Sequence, residues 1–387
     1  MRPSLFFVVC TAIWTCLSIP AWAAAPHPIN AGELQASASQ PFTIQHMATL
    51  NSPWAMTFLP DGRLIITEKS GQMYLFEKPG VMHEITGVPK VRAKGQTGLH
   101  DVAASPTFAQ DQLLYFTWVE PAPEGGVLVL ARARLQESAG AAQLQDIQIL
   151  WRQNAAAQGG HPGSKIAFSP DGQHLFLTVG ERQDSDTAQD PDLARGKILR
   201  MNLDGSIPPD NPYAAQGGVR ALTWSTGHRN PYGLTFDAAG TLWSHEMGPR
   251  GGDELNRIDP GKNYGWPQVS EGRHYSGWPI DAHATRPEFQ APVLYWTPVI
   301  APSGMALYDG KMFPEWQGSL LISGLVANGL LRLSVDGPNH VEQIDRWSLG
   351  KRIRDVAVAP DGAIWLIEDG TSAALLRLIP LSPPVQQ

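Results

Sequence analysis

FLPDGRLIITEK (58–69), FSPDGQHLFLTV (168–179) and VAPDGAIWLIED (358–369) carry one pattern three times. An apolar residue and a proline precede Asp-Gly, and an alternating apolar run follows. Proline presets φ, aspartate bonds the backbone two residues on, and glycine accepts positive φ, so Pro-Asp-Gly between apolar runs reads as a hairpin turn. Degenerate copies stand at Phe236-Asp237-Ala238-Ala239-Gly240, Ser105-Pro106-Thr107-Phe108 and Leu307-Tyr308-Asp309-Gly310. Each interval between copies has room for a four-stranded antiparallel sheet with loops. One such sheet cannot bury both of its faces, but six arranged radially can, and they also protect their edges. The expectation is an all-β fold, a six-bladed β-propeller of four-stranded antiparallel blades; a seven-bladed ring or a double β-sandwich is the alternative.

Composition agrees with many short strands. The chain has 387 residues, 38 of them glycine and 33 proline, too much turn chemistry for a helical bundle. Its net charge of −7 gives no basic footprint for DNA or RNA. Met1-Arg2, an apolar run from Leu5 to Ile19 and Ala21-Trp22-Ala23 read as a leader cleaved before Ala24. Residues 24–387 are then expected to form a single domain with no membrane span. Both cysteines, Cys10 and Cys16, lie in the leader, so the mature chain would hold no thiol or disulfide.

Propeller ligands sit over the central channel, on loops from several blades, so site residues should be scattered in sequence. Five loop strings have suitable chemistry. Gly159-Gly160-His161-Pro162-Gly163 puts an imidazole on a glycine-rich bend, where a neutral ring can accept a hydroxyl proton. Glu181 follows the next hairpin strand and can return to orient His161. Gly227-His228-Arg229-Asn230-Pro231 offers a guanidinium fork and an amide, which suit oxygen-rich ligands or, alternatively, the capping of carbonyls between blades. Glu246-Met247-Gly248-Pro249, Asp253-Glu254 and Asn263-Tyr264-Gly265 hold hard oxygen donors of the kind calcium takes. Arg352 and Arg354 share one side of a strand, which suits an anionic ligand, and Gly95-Gln96-Thr97-Gly98 is a loop ahead of the second repeat. No Walker loop, dinucleotide fingerprint, G-x-S-x-G elbow or H-E-x-x-H is present.

Taken in order, these strings resemble one family, the soluble PQQ-dependent sugar dehydrogenases, and most of all its aldose sugar dehydrogenase branch. GHRNPYGLTF (227–236), NYGWP (263–267) and RIRDVAVAPDG (352–362) carry the likeness, which runs from about Asn51 to Leu378. The resemblance implies a periplasmic quinoprotein that oxidises aldose sugars to lactones, with PQQ (pyrroloquinoline quinone) and Ca²⁺ as cofactors and a separate electron acceptor. His161 matches the general base and Glu181 the carboxylate beside it. Gln96, Arg229 and Asn230 match residues near the quinone and the reacting oxygen, Tyr275 a cofactor contact, and Arg352 and Arg354 the partners of its carboxylates. Gly248 and Pro249 match carbonyl donors to calcium, and Glu254 and Tyr264 a further calcium site. Two positions depart from the pattern: Lys165 replaces an arginine, and Ala327 stands where relatives have a cofactor-contacting lysine. Two other readings are a calcium-dependent lactonase-type hydrolase and a non-catalytic sugar- or protein-binding propeller.

Overall fold

The computed structural model describes residues 28–138 and 140–381, so the expected leader lies outside the described residues. About half of those residues are in strands, with one short α-helix at Phe108–Asp111 and five short 3-10 helices. Among them, no helix is long and apolar enough to cross a membrane.

The repeated string does in space what its chemistry predicts. Pro53–Phe58 turns through Pro60-Asp61-Gly62 into Leu64–Glu68, and Gly163–Phe168, Pro231–Phe236 and Ile353–Val358 turn likewise into their partners. Asp61 accepts the Arg63 N–H at 3.0 Å, Asp171 that of Gln173 at 3.0 Å, Asp237 that of Ala239 at 2.9 Å and Asp361 that of Ala363 at 2.9 Å. Gly62 supplies the positive φ, +88°. In the degenerate copies the helix Phe108–Asp111 and the 3-10 turn Pro314–Trp316 occupy the connection.

Six strands begin these hairpins: Pro53–Phe58, Leu99–Ala104, Gly163–Phe168, Pro231–Phe236, Pro302–Leu307 and Ile353–Val358. Each packs against the next, and the last packs against the first. The sheets they start are not all separate four-stranded antiparallel units. Val81–Thr86 pairs in parallel with the start of Ala141–Arg152, which joins two sets into one eight-stranded sheet. That strand is the edge of its own sheet, and the open side of its first residues pairs with the neighbour's open edge at Ile85 and Thr86. Ile29–Asn30 adds a fifth strand to another sheet. Phe42–Leu50 pairs antiparallel with Ala373–Pro380, stitching the beginning of the described chain to its end. Phe42 then meets the Trp316–Trp347 stack, whose rings lie 4.9 Å apart.

The six initial strands share a register. Their third residues are Ala55, Asp101, Lys165, Gly233, Gly304 and Asp355. Lys165 Nζ lies 2.8 Å from Asp101 and 3.6 Å from Asp355, all three buried or nearly so. Asp101 also accepts the Ile166 N–H at 2.7 Å, and Asp355 the Met56 N–H at 3.1 Å, so each aspartate bonds the following sheet. At the second position of each strand, Trp54 stacks on His100 at 4.5 Å, meets Tyr232 edge-on at 5.6 Å and lies under the Arg354 guanidinium at 4.5 Å. This aromatic layer is the floor beneath the loops that precede the strands.

Lys165→Met leaves two buried carboxylates facing each other. It is expected to cost about 3–5 kcal/mol in urea unfolding at pH 7. Burial raises Asp355 to about 6 even with Lys165 present. A carboxyl with a raised folded pKa binds more protons folded than unfolded, so its ionisation removes stability as pH climbs through that value. The deficit of the variant should therefore shrink as the pH is lowered from 7 to 5.

Candidate active site

The loops that lead into the initial strands carry Gln96, His161, Arg229, Asn230 and Arg352, Glu181 and Gly248 follow second strands of the hairpins, and hydrogen bonds join several of these segments. The Glu181 N–H donates to the Arg229 carbonyl at 2.9 Å, and the Gly163 N–H to Asn230 Oδ1 at 3.3 Å. Residues of two sequence-distant strings thus share a wall.

His161 sits at φ +47°, and Ser164, Arg182 and Gln183 nearby also have positive φ. Such backbone persists only where the surroundings over-determine it, and it clusters at functional sites. Gln96 Oε1 accepts the His161 backbone N–H at 2.7 Å. The ring Nδ1 lies 2.9 Å from Glu181 Oε1, and Glu181 is 2% exposed. The second carboxylate oxygen takes the Gln183 N–H. With Nδ1 holding its proton toward Glu181, Nε2 carries the free lone pair. Among the described residues Nε2 makes no hydrogen bond.

Arg229 caps backbone carbonyls, one of the two readings its sequence left open. Its Nη1 donates to the carbonyls of Met247 at 2.9 Å and Gly248 at 3.1 Å, and its Nη2 to the Tyr275 hydroxyl at 3.2 Å. The guanidinium lies 5.3 Å from the Trp266 ring. Its Nε is buried with no partner, as are Asn230 Nδ2 and His100 Nδ1. With His100 Nε2 donating to the Gln96 carbonyl at 3.1 Å, its Nδ1 is an acceptor. Buried donors without partners are costly, so Arg229 Nε and Asn230 Nδ2 point to a polar ligand.

Arg352 and Arg354 come together on one carboxylate that the sequence reading missed. Asp369 pairs with Arg352 at 2.8 Å and with Arg354 at 2.7 Å. Arg354 also donates to Ser303 at 3.2 Å. Two guanidiniums on one aspartate leave a net positive charge facing the mouth. Lys165, which replaces an arginine of the relatives, lies a layer deeper, between Asp101 and Asp355. Ala327 is buried in an apolar cluster and brings no charge.

The expected metal donors divide between two places. Pro249 lines an open cavity of about 880 Å³ with Arg250, Glu271 and Arg273. Gly248, Glu254, Tyr264 and Glu246 instead line an internal cavity of about 10 Å³, room for one water-sized occupant. Burial pushes Glu254 up to about 8. The Tyr264 hydroxyl is committed to the Arg257 carbonyl at 2.5 Å, and its backbone oxygen lies 3.1 Å from His283 Nε2. Among the described residues, no three His, Cys, Asp or Glu side chains converge as a metal site.

Glu246 is the other residue whose role sequence did not reveal. It accepts the Arg229 backbone N–H at 2.5 Å and bonds His228 Nδ1 at 2.9 Å, while His228 Nε2 bonds Ser225 at 2.8 Å. This Ser-His-Glu line is buried throughout and carries Arg229 rather than a substrate. Trp54 had a findable signal, because it occupies the register position of His100, Tyr232 and Arg354 in the repeats.

Comparison with known proteins follows the same lines. Residues 50–377 match the model of the glucose / sorbosone dehydrogenase family. The aldose sugar dehydrogenase YliI of Escherichia coli is 37% identical, over 94% of this chain and 96% of its own length. The crystal structure of the soluble aldose sugar dehydrogenase from Escherichia coli, in its apo form, superposes with a TM-score of 0.81 at 36% identity, over 88% of this chain and 100% of that one. The PQQ-bound form of the aldose sugar dehydrogenase from Streptomyces coelicolor superposes with a TM-score of 0.70 at 29% identity, over 89% and 99%. From a repeated hairpin, one shared mouth and these likenesses, the chain belongs to the glucose / sorbosone dehydrogenase family.

Proposed function

We propose that this protein is a PQQ-dependent aldose dehydrogenase that oxidises the anomeric carbon of aldose sugars to lactones, with His161 as general base. The observation that carries the reading is the Glu181–His161 pair at 2.9 Å, on a wall shared with Arg229. The residues fit the cofactor: unpartnered buried donors on Arg229 and Asn230, and two arginines for its carboxylates. PQQ, when bound, supplies the electrophilic carbonyl carbon that accepts the anomeric hydride.

The chain supplies the rest. Glu181 holds the proton on His161 Nδ1, so Nε2 is the basic nitrogen and takes the proton of the anomeric hydroxyl. The Glu181 carboxylate then stabilises the imidazolium. Arg229, fixed by Met247, Gly248 and Tyr275, holds positive charge where negative charge develops. Gln96 fixes the base through its backbone N–H, and Asn230 offers an amide donor beside it. Tyr275 holds Arg229 from the solvent side, and the Trp54 layer closes the site from below.

Calcium belongs to the same proposal. Gly248, beside Arg229, and Pro249, on the open cavity, offer backbone carbonyls, and Glu254 with the Tyr264 carbonyl offers a second oxygen set around a small cavity. Hard oxygen donors of this kind suit Ca²⁺. A lactonase would need several carboxylates converging on the channel, and among the described residues the channel aspartates are committed to Lys165 and to backbone N–H groups. The fold is taken as a six-bladed propeller, supported by six initial strands in cyclic contact and by the four-stranded sets that appear when the eight-stranded sheet is divided at its short parallel pairing. The N-terminal sequence further supports export to the periplasm as one domain beginning at Ala24.

Reconstituted with PQQ and Ca²⁺, the protein is expected to reduce a dye in the presence of aldoses and to lose its oxidised-quinone absorbance on adding sugar. Absence of both with every aldose would overturn the reading. His161→Gln should lower the rate of quinone reduction in stopped flow by about 10²–10⁴-fold, with PQQ affinity retained. Intact mass of the exported protein should correspond to a chain starting at Ala24; a mass retaining residues 1–23 would contradict cleavage.

A further inference from the structure

Arg182 is a buried cation without a counter-ion. It is 2% exposed, and among the described residues it pairs with no carboxylate. Burial and the neighbouring Arg195 and Arg92 push it down to about 10, which leaves it charged at neutral pH. Burying an unpaired guanidinium costs several kcal/mol, and nothing in the sheet requires it there.

Its short hydrogen bonds run to the backbone around the base, or to the side chain behind that loop, and a longer one, at 3.5 Å, runs from Nη1 to the Gly126 carbonyl. Nε donates to the Gly160 carbonyl at 3.1 Å, Nη2 to that of Gly159 at 3.0 Å and Nη1 to Gln153 Oε1 at 3.1 Å. The two neighbours of Arg182 grip the same loop. Glu181 holds the His161 ring, and Gln183 Oε1 accepts the Gly160 N–H at 2.9 Å. The Arg182 backbone N–H also donates to the His161 carbonyl at 3.2 Å. Gly159 permits this approach: a Cβ there would lie 2.1 Å from the Arg182 carbonyl oxygen.

We propose that Arg182 is a positioning residue, a buried guanidinium clasp that holds the strained loop Gly159–His161 so that the imidazole is aimed before substrate arrives. The claim rests on the reading of His161 as the base. His161 sits at φ +47° directly after the two clasped carbonyls, and Arg182 itself is at φ +63°. Strain of that kind relaxes unless it is held, and a displacement of about 1 Å at a reacting group costs up to roughly 10²-fold in rate. A lysine keeps the charge but has no fork to span two carbonyls.

The test compares Arg182→Lys and Arg182→Gln with wild type. With PQQ and Ca²⁺ loaded, kcat for an aldose should fall by about 10–100-fold while KM changes by less than about threefold. The deuterium isotope effect with C1-deuterated sugar should rise, because hydride transfer becomes more fully rate-limiting. PQQ affinity, from absorbance titration, should stay at the wild-type value. Independently of activity, hydrogen exchange in the apoproteins should show lost protection across residues 159–163 and little change elsewhere.

Wild-type kcat, isotope effect and exchange in Arg182→Lys would overturn the proposal. So would parallel losses of kcat, PQQ affinity and thermal stability, or failure of both variants to fold, since these mark a role confined to holding the fold. An inactive wild type with exchange raised only at residues 159–163 in the variants would leave the clasp standing and remove the sugar-oxidation reading instead.

Discussion

A lysine ammonium held between two aspartates at the centre of the ring constrains everything above it. Lys165, Asp101 and Asp355 come from three different initial strands. Removing three charges from water is expensive, and mutual attraction offsets that cost only when the geometry is tight and the remaining lone pairs are bonded. The Ile166 and Met56 N–H groups complete that bonding, so a shift of any one strand breaks both ion pairs and hydrogen bonds. The loops entering those same strands carry Gln96, His161 and Arg352. Their relative positions are inherited from the cluster below.

Above it, each functional group is held by a neighbour of complementary chemistry. Glu181 fixes the tautomer of His161, Glu246 anchors the backbone of Arg229, and Asp369 gathers Arg352 and Arg354. The acidic residues are the orienting parts of the site, and the groups they orient are basic. That division suits a polyanionic cofactor and a substrate that gives up a proton, because the groups presented at the mouth are a free imidazole nitrogen and guanidinium donors.

The hairpins were legible because their cause is local. Pro-Asp-Gly writes its own turn, and the Asp61, Asp171 and Asp361 side chains bond two residues onward as the dipeptide chemistry requires. His161 and Glu181 were legible because one hairpin returns the chain to the same end. What could not be read depends on closure. The pairing of Phe42–Leu50 with Ala373–Pro380, the parallel junction at Ile85 and Ala142, and the capture of both arginines by Asp369 have no periodic trace in sequence. The grouping of the expected metal donors was only partly legible: the resemblance pairs Gly248 with Pro249 and Glu254 with Tyr264, whereas the structure sets Gly248 beside Glu254 and Tyr264 and leaves Pro249 on another cavity. The Lys165 cluster went unread for a related reason, since its register against Asp101 and Asp355 appears only once the strands are side by side.

The central claim is that loops far apart in sequence form one quinone-sized mouth between His161 and Arg229. A crystal structure of the protein with PQQ and Ca²⁺ tests it most directly. The account predicts the tricyclic ring between the His161 imidazole and the Arg229 guanidinium, with carboxylates toward Arg352 and Arg354. Density for the ring at another surface, out of reach of the imidazole, would contradict it.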